Sequence, residues 1–420
     1  MTTRTIKIDY LGRVEGEGAL GVHLRGDKVE RLRLDIFEPP RLFEGFLRGR
    51  LFTEVPDITS RVCGICPVAY QLSSAQALED ALGVEVEEPI RQLRRLIYCG
   101  EWIESHGLHV FMLHAPDFLG FTDGFSMARE HPKAVQRALG IKKTGNALVA
   151  LLGGRAIHPV NTRVGGFHRA PSPSELRALL PELEVARDAM RESLQWLSGF
   201  DFPEFEREYE FVALSHPSEY PFCDGRLASS SGLDISVRSF DQHFTEEQVD
   251  GSTALRSSMR GRGAYLCGPL ARFNLSFSRL STEAQDLARE IGVQAPCRNP
   301  FKSLLVRGIE IFYALDEAMR LIERYRPPQR PFAEVVPREA TGYGCTEAPR
   351  GILYHRYSMD AAGVIREARI VPPTTGNLRS IEEDLRRLGP ELSRLSPAQS
   401  RILAARAVRN HDPCISCSTH

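Results

Sequence analysis

The sequence lacks any long apolar run. Uninterrupted apolar stretches such as residues 147–152 fall far short of the roughly 20 residues that a membrane-spanning helix needs. The first ten residues also lack the apolar core of an export signal. We therefore expect a chain that does not insert directly into a membrane and that lies in the cytoplasm.

The sequence also lacks an excess of charge of either sign. The 53 Lys and Arg residues nearly balance the 54 Asp and Glu residues, and the basic residues are scattered rather than clustered. This balance argues against a nucleic-acid partner. With 42% hydrophobic and 25% charged residues, the 420-residue chain has the composition of an ordinary globular protein with a large core.

Cysteine is present in an odd number, nine, which argues against a disulfide framework in a chain of this length. Four of these residues form two Cys-x-x-Cys pairs, Cys63 with Cys66 and Cys414 with Cys417. We expect the other five to be small buried hydrophobic residues: Cys99, Cys223, Cys267, Cys297 and Cys345.

Hydrophobic periodicity predicts both kinds of secondary structure. Apolar and polar residues alternate in three short segments, Thr5–Tyr10, Gly21–Arg25 and Val29–Leu34, which predicts a small antiparallel sheet within residues 1–40. Helical spacing follows in longer segments: from Pro89 to Pro116, Ser174–Leu197, Ser303–Tyr325, and Ser380–Val408 with a break at Gly389-Pro390.

Alternation returns over Thr341–Pro373 and predicts a second sheet. The sequence shows no internal repeat, low-complexity tract or clear linker. We therefore predict the α+β class and a single domain over residues 1–420. This domain would be large and helix-rich, with a core of long bundled helices and small peripheral antiparallel sheets.

The two thiol pairs are the clearest chemical signal. Each Cys-x-x-Cys turn lets two sulfur atoms converge on one metal, and four thiolates suit zinc, iron–sulfur or other transition-metal sites. The pairs lie in residues 61–66 and 412–420, whereas zinc-binding pairs usually lie about 15–20 residues apart. On spacing alone, a closed zinc site, a redox metal site and unrelated thiols all remain open. His420 beside the second pair suggests that the chain end is tied into the site.

Six ordered motifs resemble those of nickel–iron hydrogenase large subunits. These motifs are Arg-x-Cys-Gly-x-Cys at 61–66, Asp-Pro-Cys-x-x-Cys-x-x-His at 412–420, Arg13–Gly16, residues 43–50, Glu347–Gly351 and Val371–Thr374. The resemblance covers essentially the whole chain. It implies reversible heterolytic oxidation of H₂ to protons and electrons.

The resemblance also implies roles for individual residues. Cys63 and Cys414 would bind nickel terminally, and Cys66 and Cys417 would bridge nickel to an iron that carries CO and cyanide. Glu15 would accept a proton beside a nickel thiolate. Further residues would line the cyanide pockets, and one of them, the arginine, would reach over the metals: Pro349, Arg350, Pro373 and Thr374. A Mg²⁺ would be held by Glu44, His420 and the backbone carbonyl near Ile370.

Partners are implied in the same way. The chain has no spare cysteine cluster, so electrons would leave through a small iron–sulfur subunit. Ser105-His106 and the Cys-Ile-Ser-Cys-Ser ending resemble the cytoplasmic branch coupled to NAD(P), whose flavin and NAD(P) lie on diaphorase subunits. A maturation chaperone and an endopeptidase are also implied. Tyr70 departs from the family pattern, because many members have His there.

Two alternatives to an enzyme stay open. The first is a regulatory subunit that senses hydrogen with the same metal site. The second is a structural scaffold, either zinc-bound or metal-free as in the relatives found in respiratory complex I. The presence of all four cysteines argues against the metal-free case.

Other signals are weaker. Gly16, Gly18 and Gly21 match the dinucleotide-binding spacing, but the next residues continue as a strand instead of opening a helix. NAD(P) is therefore expected on a partner. Several histidines could bind metal or carry protons, although hydrogen-bonded core or turn residues of this kind are commoner: His106, His109, His114 and His158.

Overall fold

A computed structural model describes residues 3–420 of the chain. Its strands are β1 (Thr3–Ile8), β2 (Gly18–Arg25), β3 (Lys28–Ile36), β4 (Thr162–Arg163), β5 (Gly166–Phe167), β6 (Val212–Ser215), β7 (Arg226–Ser229), β8 (Asp234–Ile235), β9 (Phe244–Glu247), β10 (Arg256–Met259), β11 (Ala340–Ala348), β12 (Gly351–Met359) and β13 (Ile365–Val371). They form small antiparallel sheets, among them β1-β2-β3 and β11-β12-β13.

Helices make up most of the remainder. They are α1 (Phe43–Leu47), α2 (Val55–Thr59), α3 (Pro67–Leu82), α4 (Glu88–Gly107), α5 (Ala115–Leu119), α6 (Gly124–Glu130), α7 (Pro132–Gly153), α8 (Pro173–Arg177), α9 (Leu180–Ser198), α10 (Phe240–His243), α11 (Pro269–Ser276), α12 (Thr282–Glu290), α13 (Ser303–Arg324), α14 (Pro373–Arg387), α15 (Gly389–Arg394), α16 (Pro397–Arg409) and α17 (Ile415–Ser418). A π-helix spans Leu108–His114, and short 3₁₀ turns span Ser60–Val62, Val237–Ser239, Phe277–Arg279 and Pro300–Lys302.

The core lies between the long helices. Helix α4 packs against α7 and α13, and α13 packs in turn against α9. Glycines allow the closest approach, since a Cβ on Gly145 of α7 would lie 2.8 Å from the Gly100 carbonyl oxygen of α4. The class is α+β, with long helices at the core and small antiparallel sheets, as the periodicity predicts.

Both predicted sheets form. Residues 26–27 make the turn between β2 and β3, and β11 to β13 fill the region of the second predicted sheet. The predicted N-terminal sheet region begins at residue 1, but Met1 and Thr2 lie outside the described residues. Strand β2 continues from Gly18, so the glycine motif opens a strand, as expected from its sequence context.

The helix predictions need correction at two places. The segment Ser174–Leu197 is two helices, because Pro181 lies in the first turn of a new helix, α9. The last segment begins earlier, at Pro373, and breaks at Ser396-Pro397 as well as at Gly389-Pro390. Helix α3 has no amphipathic pattern that would reveal it, since it is buried on nearly all sides.

Helix α3 is central to the arrangement of the chain. It begins at Pro67, directly after Cys66, and β11 crosses it at close range. A Cβ on Gly342 or Gly344 would clash with the α3 backbone, at 2.1 Å from Ala77 O and 2.4 Å from Ser73 O respectively. Within residues 3–420, none of the helices combines the length and apolar character needed to cross a membrane.

Candidate metal centre

The first thiol pair lies where a helix begins. Cys63 is extended, and Cys66 is the residue before α3. The backbone N–H groups of Ile65 and Cys66 each donate to Cys63 Sγ at 3.3 Å. These donors and the positive end of the α3 dipole favour a thiolate at this turn.

A buried carboxylate holds the start of α3. Glu101 of α4 accepts hydrogen bonds from Val68 N at 2.6 Å and Ala69 N at 3.1 Å, and so occupies the helix N-terminus beside Cys66. Burial raises the pKa of Glu101 well above its usual range. Sequence reasoning missed this residue, whose only signal is a carboxylate among the apolar residues of a core helix.

The second pair is held by distant parts of the chain. Asp412 adopts a left-handed backbone conformation with φ +50°, which turns the chain out of α16 toward Cys414. Glu15 O accepts from Ile415 N at 2.9 Å, and Thr374 Oγ1 accepts from Cys414 N at 3.0 Å. These contacts fix the backbone on both sides of the Cys414 side chain.

Arg41 links the two thiol segments. Its guanidinium donates to Val62 O at 2.7 Å, next to Cys63, and also to Ser416 O, between Cys414 and Cys417. Its backbone N–H donates to Thr419 O at 2.9 Å. Nothing in the sequence marks this arginine, because its importance comes only from where folding places it.

Folding brings the four predicted thiols together. Their sulfur atoms all lie within 4.8 Å of one another, and all four residues are buried. The separations are 3.6 Å for Cys63 to Cys414, 3.7 Å for Cys66 to Cys417 and 2.7 Å for Cys414 to Cys417.

The electrostatics of these thiols suit a metal. Hydrogen bonds from the other three sulfhydryls lower the pKa of Cys63, whereas burial raises the pKa of Cys414 and of Cys417. Four buried thiols this close cannot all ionise unless cations balance their charge. The donor set therefore fits a thiolate-bound transition-metal centre.

Arg350 lies over the thiols, almost fully buried. Its Nε donates to Asp412 O at 2.8 Å and its Nη2 to Asp412 Oδ1 at 3.2 Å. Burial opposes the charge of Arg350, but Asp412 and the thiolates outweigh burial and raise its pKa. Its Nη1 has no hydrogen-bond partner among the described residues, so it is free to donate to a ligand of the metals.

Glu15 contacts the thiol cluster. Its Oε2 lies 3.1 Å from Cys414 Sγ and accepts from Ser416 N at 3.0 Å. The hydroxyl of Ser416 donates to Glu38 Oε1 at 2.5 Å, which places a second, half-buried carboxylate close by. Gly16 permits this approach, because a Cβ there would lie 2.6 Å from Ile415 Cβ.

The predicted magnesium ligands also lie together. Glu44 Oε1 is 3.7 Å from His420 Nε2 and accepts from Ile370 N at 2.7 Å. His420 Nδ1 contacts Cys417 O at 2.9 Å, which ties the terminal residue to the thiol segment. Burial alone would raise the pKa of Glu44, but contact with His420 lowers it. Ile370 presents its N–H to Glu44, whereas the resemblance implies a role for a carbonyl here.

The other singled-out residues are built into the fold. His106 Nε2 lies 3.0 Å from Glu310 Oε2, and His158 Nδ1 lies 2.7 Å from Ser60 O. Burial, with a contribution from the neighbouring thiols, raises the pKa of Tyr70. The five isolated cysteines are all buried, as expected, and none of them forms a disulfide: Cys99, Cys223, Cys267, Cys297 and Cys345.

Comparison with known proteins identifies the class. The family model for nickel-dependent hydrogenase matches residues 41–137 and 277–420. The chain belongs to this family, as a large subunit, and is therefore an oxidoreductase. Membership implies a nickel–iron centre, and the four clustered thiols fit it.

Individual relatives span nearly the whole chain. Sulfhydrogenase 1 subunit alpha of Pyrococcus furiosus is 31% identical over 419 residues, covering 99% of this chain and 97% of that protein. NAD-reducing hydrogenase HoxS subunit beta of Cupriavidus necator is 28% identical, and the match covers 100% of this chain and 95% of that protein. A crystal structure of an NAD⁺-reducing [NiFe]-hydrogenase in its H₂-reduced state matches with a TM-score of 0.89 and 26% identity, covering 99% of each chain.

Proposed function

We propose that this chain is the subunit that carries out reversible heterolytic H₂ oxidation and proton reduction, with NAD(P) as the electron acceptor of the whole enzyme. The single observation that carries this proposal is the carboxylate of Glu15, 3.1 Å from Cys414 Sγ. A base at this distance from a metal-binding thiolate can receive the proton that splitting of H₂ releases.

The nickel–iron centre, when bound, supplies the acceptor for the electrons of H₂. Cys63, Cys66, Cys414 and Cys417 hold the centre, and the sulfur of Cys414 takes the proton first. Glu15 Oε2 then receives this proton, and the hydroxyl of Ser416 and the carboxylate of Glu38 pass it toward the surface. The first step, from Cys414 Sγ to Glu15 Oε2, spans 3.1 Å, and the last, from the Ser416 hydroxyl to Glu38 Oε1, spans 2.5 Å; both are hydrogen-bond distances, as proton transfer requires.

Arg350 stabilises the charge of the site. Its unpartnered Nη1 would donate to a cyanide ligand of the iron, and Pro349, Pro373 and Thr374 would line the same pocket. A charged donor in a dry site is worth more than one in water. In the described residues Thr374 has a further task, because its hydroxyl accepts from Cys414 N.

A Mg²⁺ at Glu44 and His420 would hold the second thiol pair in place. Glu44 Oε1 and His420 Nε2 lie 3.7 Å apart. Both residues line a cleft of about 270 Å³, which Ser418 and Thr419 also line. Because His420 also contacts Cys417 O, a cation here would fix the last turn of the chain.

Partner subunits complete the proposal. Among the described residues, the four thiols are the only His, Cys, Asp and Glu cluster with metal-binding geometry, so electrons would leave through a small iron–sulfur subunit. Similarity to two NAD-reducing hydrogenases supports diaphorase partners that bind flavin and NAD(P). We also propose that residues 1–420 act as a single domain in the cytoplasm, since residues from both ends build one site.

Purification with co-expressed partner subunits tests this function. We expect about one nickel and one iron per chain, infrared bands of CO and cyanide, and H₂-dependent reduction of NAD⁺ or NADP⁺. Cys63→Ser should abolish both the bands and the activity. Zinc alone in the site would refute the proposal, and activity with artificial acceptors but neither nucleotide would refute its NAD(P) part.

A further inference from the structure

A π-helix at Leu108–His114 lies near the metal centre. A π-helix widens the turn, is rare and often marks a functional site. Here it brings His109 and His114 side by side, with ring centroids 5.1 Å apart, and both residues are buried. Neither residue belongs to the route through Glu15.

Unpartnered polar atoms gather around these histidines. Buried side-chain atoms without a hydrogen-bond partner among the described residues include His109 Nδ1, both ring nitrogens of His114, both polar atoms of Asn410, and Arg307 Nε. Leaving such a buried group without a partner destabilises the fold, so a native protein rarely tolerates several together.

Of these four residues, Arg307 has the strongest need for further hydrogen-bond acceptors. It is 1% exposed, donates Nη1 to Asn410 O at 2.9 Å, and forms no salt bridge within residues 3–420. Burial lowers its pKa to about 10. A buried guanidinium without a directly paired carboxylate needs other acceptors around it.

The cluster connects the metal centre to the surface. On one side, His109 Nε2 lies 4.0 Å from Asp412 Oδ1, and Asp412 is bonded to Arg350. On the other side, His114 lies one helical turn before Asp117, which pairs with Arg13 at 2.5 Å and with Arg409 at 2.6 Å.

The surface end of this connection is open. Asp117, Arg13 and Arg409 all line a surface cleft of about 610 Å³. Polar groups therefore line the way from Arg350 to this cleft, with gaps longer than a hydrogen bond between them, such as the 4.0 Å between His109 Nε2 and Asp412 Oδ1.

We infer that His109, His114, Arg307 and Asn410 bind a chain of ordered water molecules, and that this chain is a second proton route between the metal centre and the cleft at Asp117. The water-binding site is formed by residues of this chain alone. The proton-carrying role rests on the proposed hydrogenase function.

Water fits the donors and acceptors better than an anion does. Imidazole and amide groups each offer both a donor and an acceptor, which water can satisfy at once. The positive charge of Arg307 is already opposed by Asp412 and Glu310 nearby, although neither forms a salt bridge with it. An added anion would have to lie close to these carboxylates.

Neutral histidines suit a relay. Burial lowers the pKa of His109 and of His114 well below the usual range, so both rings are neutral. His109 Nε2 donates to Arg409 O at 2.8 Å, which leaves Nδ1 as its free acceptor, whereas both ring nitrogens of His114 lack a partner among the described residues. Each water, and the imidazole of His114, takes a proton from one neighbour and releases one to the next, whereas His109 holds the chain in place through its free Nδ1. One proton thus enters beside Asp412 and one leaves at Asp117, with no net change between.

A high-resolution crystal structure of the complete enzyme tests the site. We expect ordered waters within hydrogen-bond distance of both His114 ring nitrogens and of the Asn410 amide. Bromide soaking with anomalous scattering separates water from an anion: bromide at Arg307 would overturn the assignment. A dry chamber, with the rings bonded to protein atoms, would overturn it as well.

Exchange of D₂ gas with water protons tests the route. Glu15→Gln should slow this exchange without abolishing it, and adding His114→Phe should slow the residual exchange by a further factor of about ten. His114→Gln in the same background should restore most of it, because an amide both donates and accepts. His216→Phe, on the surface, is the matched control and should have no effect.

The outcomes are separable. Complete loss of exchange in Glu15→Gln, or equal exchange in Glu15→Gln with and without His114→Phe, would overturn the second route even if the waters are seen. If the unmodified enzyme shows no exchange at all, the proposed hydrogenase function fails, whereas the crystal structure still decides the water site.

Discussion

The two Cys-x-x-Cys pairs have the same spacing but are held in different ways. The first pair is part of a helix start: Cys63 accepts from its own neighbours, and Glu101 fixes the α3 N-terminus. The second pair has only the short helix α17 and depends on distant residues. Ser416 and Arg41, for example, are bonded across 375 residues of sequence.

We call each thiol pair, with the residues that hold it, one half of the site. The first half is held by local structure, whereas the second half is held by segments that are distant in sequence. The first half is built on the start of α3 and on α4, which pack within one core cluster. The second half needs the start of the chain, through Glu15 and Arg41, to meet its end. We expect the second half to order only after the rest of the chain has folded.

The largest predicted effect involves Arg350, which hydrogen-bonds to Asp412 of the second half and interacts electrostatically with thiols of both halves. Arg350→Lys should lower turnover by about a thousandfold or more, because lysine lacks the planar fork that reaches Asp412 and the metal ligands together. Nickel and iron should stay bound, since all four thiols remain. Steady-state kinetics and metal analysis check this, and unchanged turnover would remove Arg350 from the mechanism.

The next effect concerns Glu104, which lies in α4 one turn after Glu101 and pairs with Lys142. Burial raises the pKa of Glu104 from 4.5 to about 7, despite its salt bridge to Lys142. Between these values the folded state holds a proton that the unfolded state releases, so the free energy of unfolding falls as pH rises. The fall is at most about 3 kcal/mol and levels off above pH 7.

Glu104→Gln removes this titration. We expect the stability advantage of the variant over the unmodified chain to grow from pH 4.5 to 7 and then to stay constant. Thermal unfolding across this pH range measures it. A difference that does not change with pH would show that Glu104 has an ordinary pKa.

A smaller effect is expected at Glu101, which holds only the first half. Glu101→Gln replaces one acceptor of the α3 N-terminal N–H groups with an NH₂ donor and should destabilise the chain by about 2 kcal/mol. The Cys63 and Cys66 thiols of the metal-free chain should then react faster with alkylating reagents. Glu130→Gln is the control, because Glu130 is exposed and forms no hydrogen bond or ion pair among the described residues. Equal reactivity in both variants would contradict the assignment.

The smallest effect is expected at Arg41, which is exposed. Arg41→Met should loosen the second half by about 1 kcal/mol and speed the loss of nickel to a chelator. Arg48→Met, on the neighbouring turn, is the control and should leave nickel loss unchanged. Identical rates for the two variants would show that Arg41 does not hold the segment.

Much of the fold could be predicted from the sequence where the pattern was local. Strand alternation located β2 and β3, and helical spacing located α13 to within a residue at its end. Helix α3 could not be found in this way, because a helix buried on all sides has no polar face. The break before α9 was missed, although Pro181 is visible in the sequence.

The site divides in the same manner. The sequence by itself determined which thiols are available, Cys63, Cys66, Cys414 and Cys417, because their paired spacing and ordered motifs are local properties. Only the tertiary structure decided that Glu101 and Arg41 hold these thiols, and that Arg307 lies beside His109 and His114. Burial forces polar groups from distant segments to find partners, and no local pattern records which ones will meet.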